Sequence, residues 1–169
     1  MNEIRLLFGK PVIRDRGLLI SAIKDLQSRH DCIVQALDAD KIVSERHICF
    51  AAKKAMTAFS EQRNIAKDAG MEIMRYASGE RQIERALFMG ISDRTERIAL
   101  VLAGSGSECS WPDASELSRI VELDGRSCSF CAKAVIEAFN ISSEELRAVG
   151  KERIEDLVIE RVALADTYR

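Results

Sequence analysis

No stretch of this 169-residue chain approaches the roughly 20 consecutive apolar residues that span a bilayer, so a membrane-embedded role is not expected. Neither is a disulfide framework: there are five cysteines, an odd number at irregular spacing, and thiols of this kind belong to a reducing compartment. The opening residues MNEIRLLFGK lack the charged start, longer apolar middle and small-residue cleavage site of a secretory signal, and the expected location is the cytoplasm. An excess of one charge is missing too. With 25 Lys and Arg against 27 Asp and Glu, the formal charge of -2 excludes a protein that is basic overall. The distribution is uneven, however: residues 41–97 hold eleven cations against eight anions, and residues 98–169 hold eight against thirteen. A mildly basic middle permits a local nucleic-acid surface, because the field where a ligand docks matters more than the total.

What is present is the composition of a soluble globular protein, 47% apolar and 31% charged, of a length that suits one domain over residues 1–169. Residues 4–8, 32–37 and 97–103 read as strands, the last, RIALVLA, being a short apolar run that ends in a glycine-serine turn. Residues 18–27 carry helical spacing. A stronger helix follows Ser44, a good N-cap, and runs to Ser60 with Ile48, Ala51, Ala52, Ala55, Ala58 and Phe59 on its buried stripe. Alanine dominates that stripe, so a neighbour can approach closely and Ala55→Leu should overpack the contact. Pro112 suits the first turn of a helix through Leu117 and Ile120. Residues 132–139 and 142–149 read as short helices, and Ile154, Leu157, Val158, Val162 and Ala165 give an amphipathic last helix. The expected fold is a helix-rich mixed α/β domain around a small β-sheet.

Candidates for chemistry are weak. Cys128 and Cys131 have the Cys-x-x-Cys spacing of disulfide exchange, but RSCSFCAK follows a polar turn where a thioredoxin-like site wants a strand, and two small helix residues are the simpler reading. A zinc site would need Cys109 as a third ligand and a distant Cys32, Cys49, His30 or His47 as a fourth. Ser44 and His47 sit near one helix end with no acid to complete a triad. The run Gly104, Ser105, Gly106, Ser107 lacks the Gly-Lys-Ser/Thr ending of a phosphate loop, and Asp38 with Asp40 reads as turn chemistry. No catalytic centre, metal or cofactor is expected.

Residues 75–91, RYASGERQIERALFMGI, are more informative. Gly79 suits the left-handed end of one helix and Ser78 offers an oxygen to the next, which should restart near Glu80. In that second helix Ile83, Ala86, Leu87 and Gly90 share a buried face, and Arg81, Glu84, Arg85 and Phe88 share another. A helix start with spare N–H donors, cationic reach from Arg75, Arg81 and Arg85, and Tyr76 to cover a base would suit a single-stranded RNA end. Arginines paired with Glu80 and Glu84 in solvent would produce the same pattern without any ligand.

These residues resemble a known family, the small kinase-binding subunit of the KEOPS complex, called PRPK-binding protein or TPRKB in animals, with an archaeal branch. The resemblance rests on DADKIVSERHICFAAKKA at 38–55, NIAKDAGMEIMRYASGERQIERALFMGI at 64–91, RIALVLAG at 97–104 and the closing LVIERVALADTYR, and it is loose over 104–150. It resembles the archaeal type most. The resemblance implies a noncatalytic subunit of the machinery that installs threonylcarbamoyladenosine on tRNA. Such a subunit binds and stimulates an atypical RIO-like kinase acting as an ATPase, and helps recruit tRNA through its 3' CCA end; neither DNA nor a membrane is among the partners. By the matching motif, Ser78, Gly79, Arg81 and Gln82 become RNA-site candidates, with Arg75, Tyr76, Arg85 and Lys54 added by proximity. Ile154, Leu157, Val158 and Val162 on the last helix are the candidates for the kinase surface. Two alternatives stand beside this reading: a kinase-binding module without RNA binding, and a thiol oxidoreductase at Cys128 and Cys131.

Overall fold

Alternating and continuous apolar runs become strands here, and capped apolar stripes become helices. The computed structural model describes residues 2–105 and 109–167. Four strands, β1 (Asn2–Pro11), β2 (Ile33–Asp38), β3 (Ile98–Ser105) and β4 (Val121–Leu123), form an antiparallel sheet in the order β2-β3-β1-β4. Eight α-helices lie among the described residues: α1 (Arg16–Arg29), α2 (Glu45–Ser60), α3 (Ala69–Ser78), α4 (Ile83–Ala86), α5 (Ala114–Ser118), α6 (Ala132–Ala138), α7 (Ser143–Val149) and α8 (Ile154–Leu164). The fold is therefore the expected helix-rich mixed α/β class. Among the described residues, no helix is long and apolar enough to cross a membrane.

The chain divides into two compact units, each drawn from two separate stretches. The first, Met1–Ala39 with Gly90–Ser127, holds the sheet, α1 and α5. Asp15 caps α1 by accepting from the Leu18 amide at 2.8 Å, and Leu19, Ile23 and Leu26 then fall on one helical face. They pack with Val34, Ala36, Ile98, Leu100 and Leu102, which the period of two places on one side of β2 and β3. Arg97, at the start of β3, donates from Nε to Asp124 at 2.6 Å and from Nη2 to the same carboxylate at 3.1 Å, and it also reaches the Arg126 and Ser127 carbonyls. That guanidinium holds the Asp124 carboxyl well below the usual range.

Two features of this unit differ from expectation. The helix after Pro112 stops at Ser118, and Ile120 and Val121 leave it; Val121 is buried and opens β4. Three residues are too few to show alternation, and the strand exists because Gly9, Lys10 and Pro11 offer it a backbone to pair with. At Gly9 the approach is so close that an added Cβ would strike the Glu122 carbonyl.

The second unit, Asp40–Met89 with Cys128–Arg169, is helical. Ser44 caps α2, accepting from the His47 amide at 3.0 Å, and Ile48, Ala51, Ala52, Ala55 and Ala58 are buried as their spacing requires. Phe59 is only half-buried. Against the small stripe of α2 lies α3, which is buried from Glu72 to Ser78. Ser142 and Glu145 form a capping box at α7.

His47 lies wholly inside this unit, with Nε2 donating to the Ala77 carbonyl at 2.8 Å. Its Nδ1 has no partner among the described residues. Burial pushes its pKa down to about 4, against the opposing pull of the Ala77 hydrogen bond.

The turn after α3 is where the helical reading changes. Residues 80–82 do not continue as helix; α4 is a single turn from Ile83 and tightens at once into a 3-10 turn, Leu87–Met89. At three residues per turn the inward positions become Ile83, Ala86 and Met89, so Met89 is fully buried and Leu87, expected inside, is 52% exposed.

Candidate functional site

Ser78 and Gly79 close α3 in two different ways. Gly79 takes the left-handed conformation, φ 71 and ψ 7, and its amide donates to the Tyr76 carbonyl at 3.0 Å. An added Cβ there would lie 2.8 Å from the Arg161 Cβ on α8, so both the conformation and the contact require glycine. Ser78 donates from Oγ to the Arg75 carbonyl at 2.6 Å and accepts from the Glu80 amide at 3.0 Å. It ties the turn to α3. The position that starts α4 belongs to Gln82, whose side chain makes no cap bond.

Beneath the turn lies a cluster of ionic groups, buried at Arg75 and Glu72 and reaching the surface at Asp166. Arg75 and Glu72 are both fully buried on α3; Arg75 Nη2 donates to Glu72 Oε1 at 2.8 Å, and Nη1 donates to the Glu80 carbonyl at 3.2 Å. Glu72 also accepts from the Ala66 and Ile65 amides at 2.8 and 3.3 Å. Tyr76, 1% exposed, donates its hydroxyl to Asp166 at 2.7 Å, and Lys54 reaches the same carboxylate at 3.3 Å. The Arg75 guanidinium lies 4.1 Å from the Tyr76 ring centre, and the Lys54 ammonium 5.4 Å. Two cations and two anions neutralise one another. Burial, with Asp166 beside it, pushes the Tyr76 hydroxyl up to about 12. Burial pushes Asp166 upward as well, but the Tyr76 and Lys54 hydrogen bonds prevail and hold it below its ordinary value.

The candidate residues therefore separate by depth. Arg75, Tyr76 and Ser78 are inside and brace the turn; Lys54 is three-quarters covered and held by Asp166. Arg81, Gln82 and Arg85 stand at the surface, Arg85 with 71% of its side chain exposed and its Nη1 4.0 Å from Glu80. With only four residues, α4 carries little macrodipole, so the side-chain cations are the groups that could attract an anion.

On α8 the four residues singled out by apolar spacing, Ile154, Leu157, Val158 and Val162, are all buried and belong to the core of the unit. Ile159 of that helix is partly exposed. With Arg46, Cys49, Phe50 and Lys53 of α2 it lines a shallow groove of about 230 Å³. Sequence reasoning missed this groove, although Arg46, Phe50 and Lys53 recur at i, i+4 and i+7 beside the alanine stripe.

The family model for kinase binding protein CGI-121 matches residues 15–166. The chain belongs to the CGI-121 family. Comparison with curated proteins gives no match. The CGI-121 match spans both stretches of the helical unit and the sheet unit from residue 15 onward, leaving β1 outside it, and it makes this chain a member of a kinase-binding family.

The remaining candidates are dispersed in this CGI-121 fold. Cys128 donates its thiol to the Ile42 carbonyl at 2.9 Å, while Cys131 is exposed at the start of α6; neither is in a disulfide. Burial, with Cys109 nearby, pushes the Cys32 thiol up to about 11, the opposite of activation. Among the described residues, no three His, Cys, Asp or Glu side chains are grouped to hold a metal. Asp38 is buried at the end of β2, and Asp40 is exposed, its carbonyl accepting from the Cys131 amide. Of the run Gly104 to Ser107, Gly106 and Ser107 lie outside the described residues.

Proposed function

We propose that this protein is a noncatalytic accessory subunit of the KEOPS tRNA threonylcarbamoyladenosine-modification complex, which binds and stimulates the atypical RIO-like kinase and helps recruit tRNA through its 3' CCA end. The observation that carries the reading is the CGI-121 match over residues 15–166, together with the Ala-Ser-Gly-x-Arg-Gln-Ile run it encloses. On this reading Arg81, Gln82 and Arg85 contact the RNA end. Arg81 and Arg85 neutralise phosphate and Gln82 bonds a base edge, while Ser78, Gly79, Arg75, Tyr76 and Lys54 hold the turn in position from within. The groove between α2 and α8 is the kinase face: its apolar floor of Phe50 and Ile159 flanked by Arg46 and Lys53 suits an apolar anchor with acidic neighbours.

The test is binding of the purified protein to a tRNA and to the same tRNA lacking its CCA, by fluorescence anisotropy at two salt concentrations. Binding that needs the CCA supports recruitment; equal binding that collapses with salt means nonspecific phosphate contact and removes that part of the proposal. Phe50→Asp should weaken kinase binding while leaving tRNA binding unchanged.

A second reading, a kinase-binding module without RNA recognition, is favoured by the burial of Arg75 and Tyr76, which leaves Arg81 and Arg85 beside Glu80 and Glu84 as the charged groups of the turn. Kinase binding with no affinity for either tRNA would select it.

A further inference from the structure

β1 is ten residues long, and its two edges are not equally used. On one side it pairs with β3 from Asn2 to Gly9; on the other, β4 covers only Gly9 to Pro11. The phase of the hydrogen bonds fixes which groups the open part presents. The Asp124 amide donates to the Phe8 carbonyl at 3.4 Å, and the Val12 amide donates to the Ile120 carbonyl at 2.9 Å, so even-numbered residues of β1 direct their N–H and C=O toward the β4 side. Leu6, Ile4 and Asn2 follow that phase, and no strand pairs with them on that side among the described residues. An open edge of this kind is a template for another strand.

The side chains say which strand. Glu3 and Arg5 project on one face, about half exposed and 2.8 Å apart along the strand. With Ile4 between them, the sequence Asn2-Glu3-Ile4-Arg5-Leu6 is charge-complementary to itself when reversed. We infer that β1 is a self-pairing edge, and that two copies of this chain join antiparallel with Ile4 opposite Ile4 of the second copy. In this register Glu3 of each copy lies opposite Arg5 of the other, and Asn2 opposite Leu6, with the outward backbone groups of Asn2, Ile4 and Leu6 bonded across the two-fold axis. Neighbouring two-fold registers fail on the same chemistry. Centring on Arg5 or Glu3 sets like charges against each other, and centring on Leu6 calls on the Phe8 carbonyl that Asp124 already occupies. The Ile4 register leaves β4 in place and joins the inner strands of two sheets as β2-β3-β1-β1-β3-β2.

A five-residue ribbon buries less than the roughly 1,200 Å² of a stable dimer, so the association is weak, with a dissociation constant on the order of 100 μM. Sedimentation velocity of the full chain across that range should show a monomer–dimer equilibrium. Arg5→Glu should weaken it at least tenfold, and the double variant Glu3→Arg with Arg5→Glu should restore it to within about threefold. Ile4→Pro should abolish dimerisation with an unchanged thermal melt, because the N–H it removes points away from β3. A chain that stays monomeric up to about 500 μM overturns the inference. So does a dimer indifferent to Arg5→Glu and to Ile4→Pro; should Ile4→Pro perturb folding, the charge exchange decides alone.

Discussion

Arg75 lies wholly inside the helical unit, with Glu72, Asp166, the Tyr76 ring and the Glu80 carbonyl around it; Arg81, across the Ser78–Gly79 turn, lies at the surface. Both belong to the segment 75–91 and carry the same charge. A buried guanidinium must be neutralised and hydrogen-bonded or it destabilises the fold, so its partners are internal and permanent. A surface guanidinium keeps most of its hydration, and the contacts it makes there are worth little to stability. Under the proposed function, Arg75 would serve through the shape of the turn and Arg81 through contact.

Removing the inner group should have the largest effect. Arg75→Ala leaves Glu72 charged and buried, and is expected to cost about 3–5 kcal/mol in urea unfolding, whereas joint replacement with Glu72→Leu should cost less than the sum of the single changes. If the two costs simply add, the cluster is not the coupled unit described.

His47 gives the inner region a pH dependence. Its folded pKa of about 4 lies below the unfolded value near 6.5, so the unfolded chain binds the proton more readily. The stability it contributes is complete above about pH 6.5 and is lost as pH falls toward 4, some 3 kcal/mol in all. His47→Gln should flatten the stability profile between pH 7 and 5; an unchanged slope would assign acid sensitivity to other groups.

At the hinge between the two arginines, Gly79→Ala must adopt φ 71 and meet Arg161, and should cost about 2 kcal/mol by thermal unfolding. On the outer side Arg81→Glu should move stability by less than about 0.5 kcal/mol while weakening CCA-dependent tRNA binding about tenfold. A melt that falls with Arg81→Glu would dissolve the contrast between inner and outer arginines.

Much of the fold was legible because local rules coincide with tertiary ones. The stripe of α2, the cap at Ser44, the left-handed Gly79 and the apolar run of β3 all appear in the sequence as periods or single residues with one sterically favoured use. β4 was not, since its pairing depends on Pro11 and not on its own three residues. The depth of the site residues was hidden for a different reason. An arginine on an inward helix face looks like any exposed arginine until its partners are known, and Asp166 is 91 residues from Arg75. The same holds for Ile154, Leu157, Val158 and Val162, whose spacing marks a buried stripe and gives no sign of a docking face.

The pairing of Leu6 with Val101 has a bearing on how the chain is made. β1 leaves the ribosome well before its hydrogen-bonded neighbour β3, which emerges only after α1, β2 and the whole of α2 to α4. For that interval an apolar strand waits with both edges unsatisfied, and closure must bridge nearly a hundred residues of chain, a slow step by its topology. Synthesis, more than the finished molecule, is when this protein most depends on being kept from its neighbours.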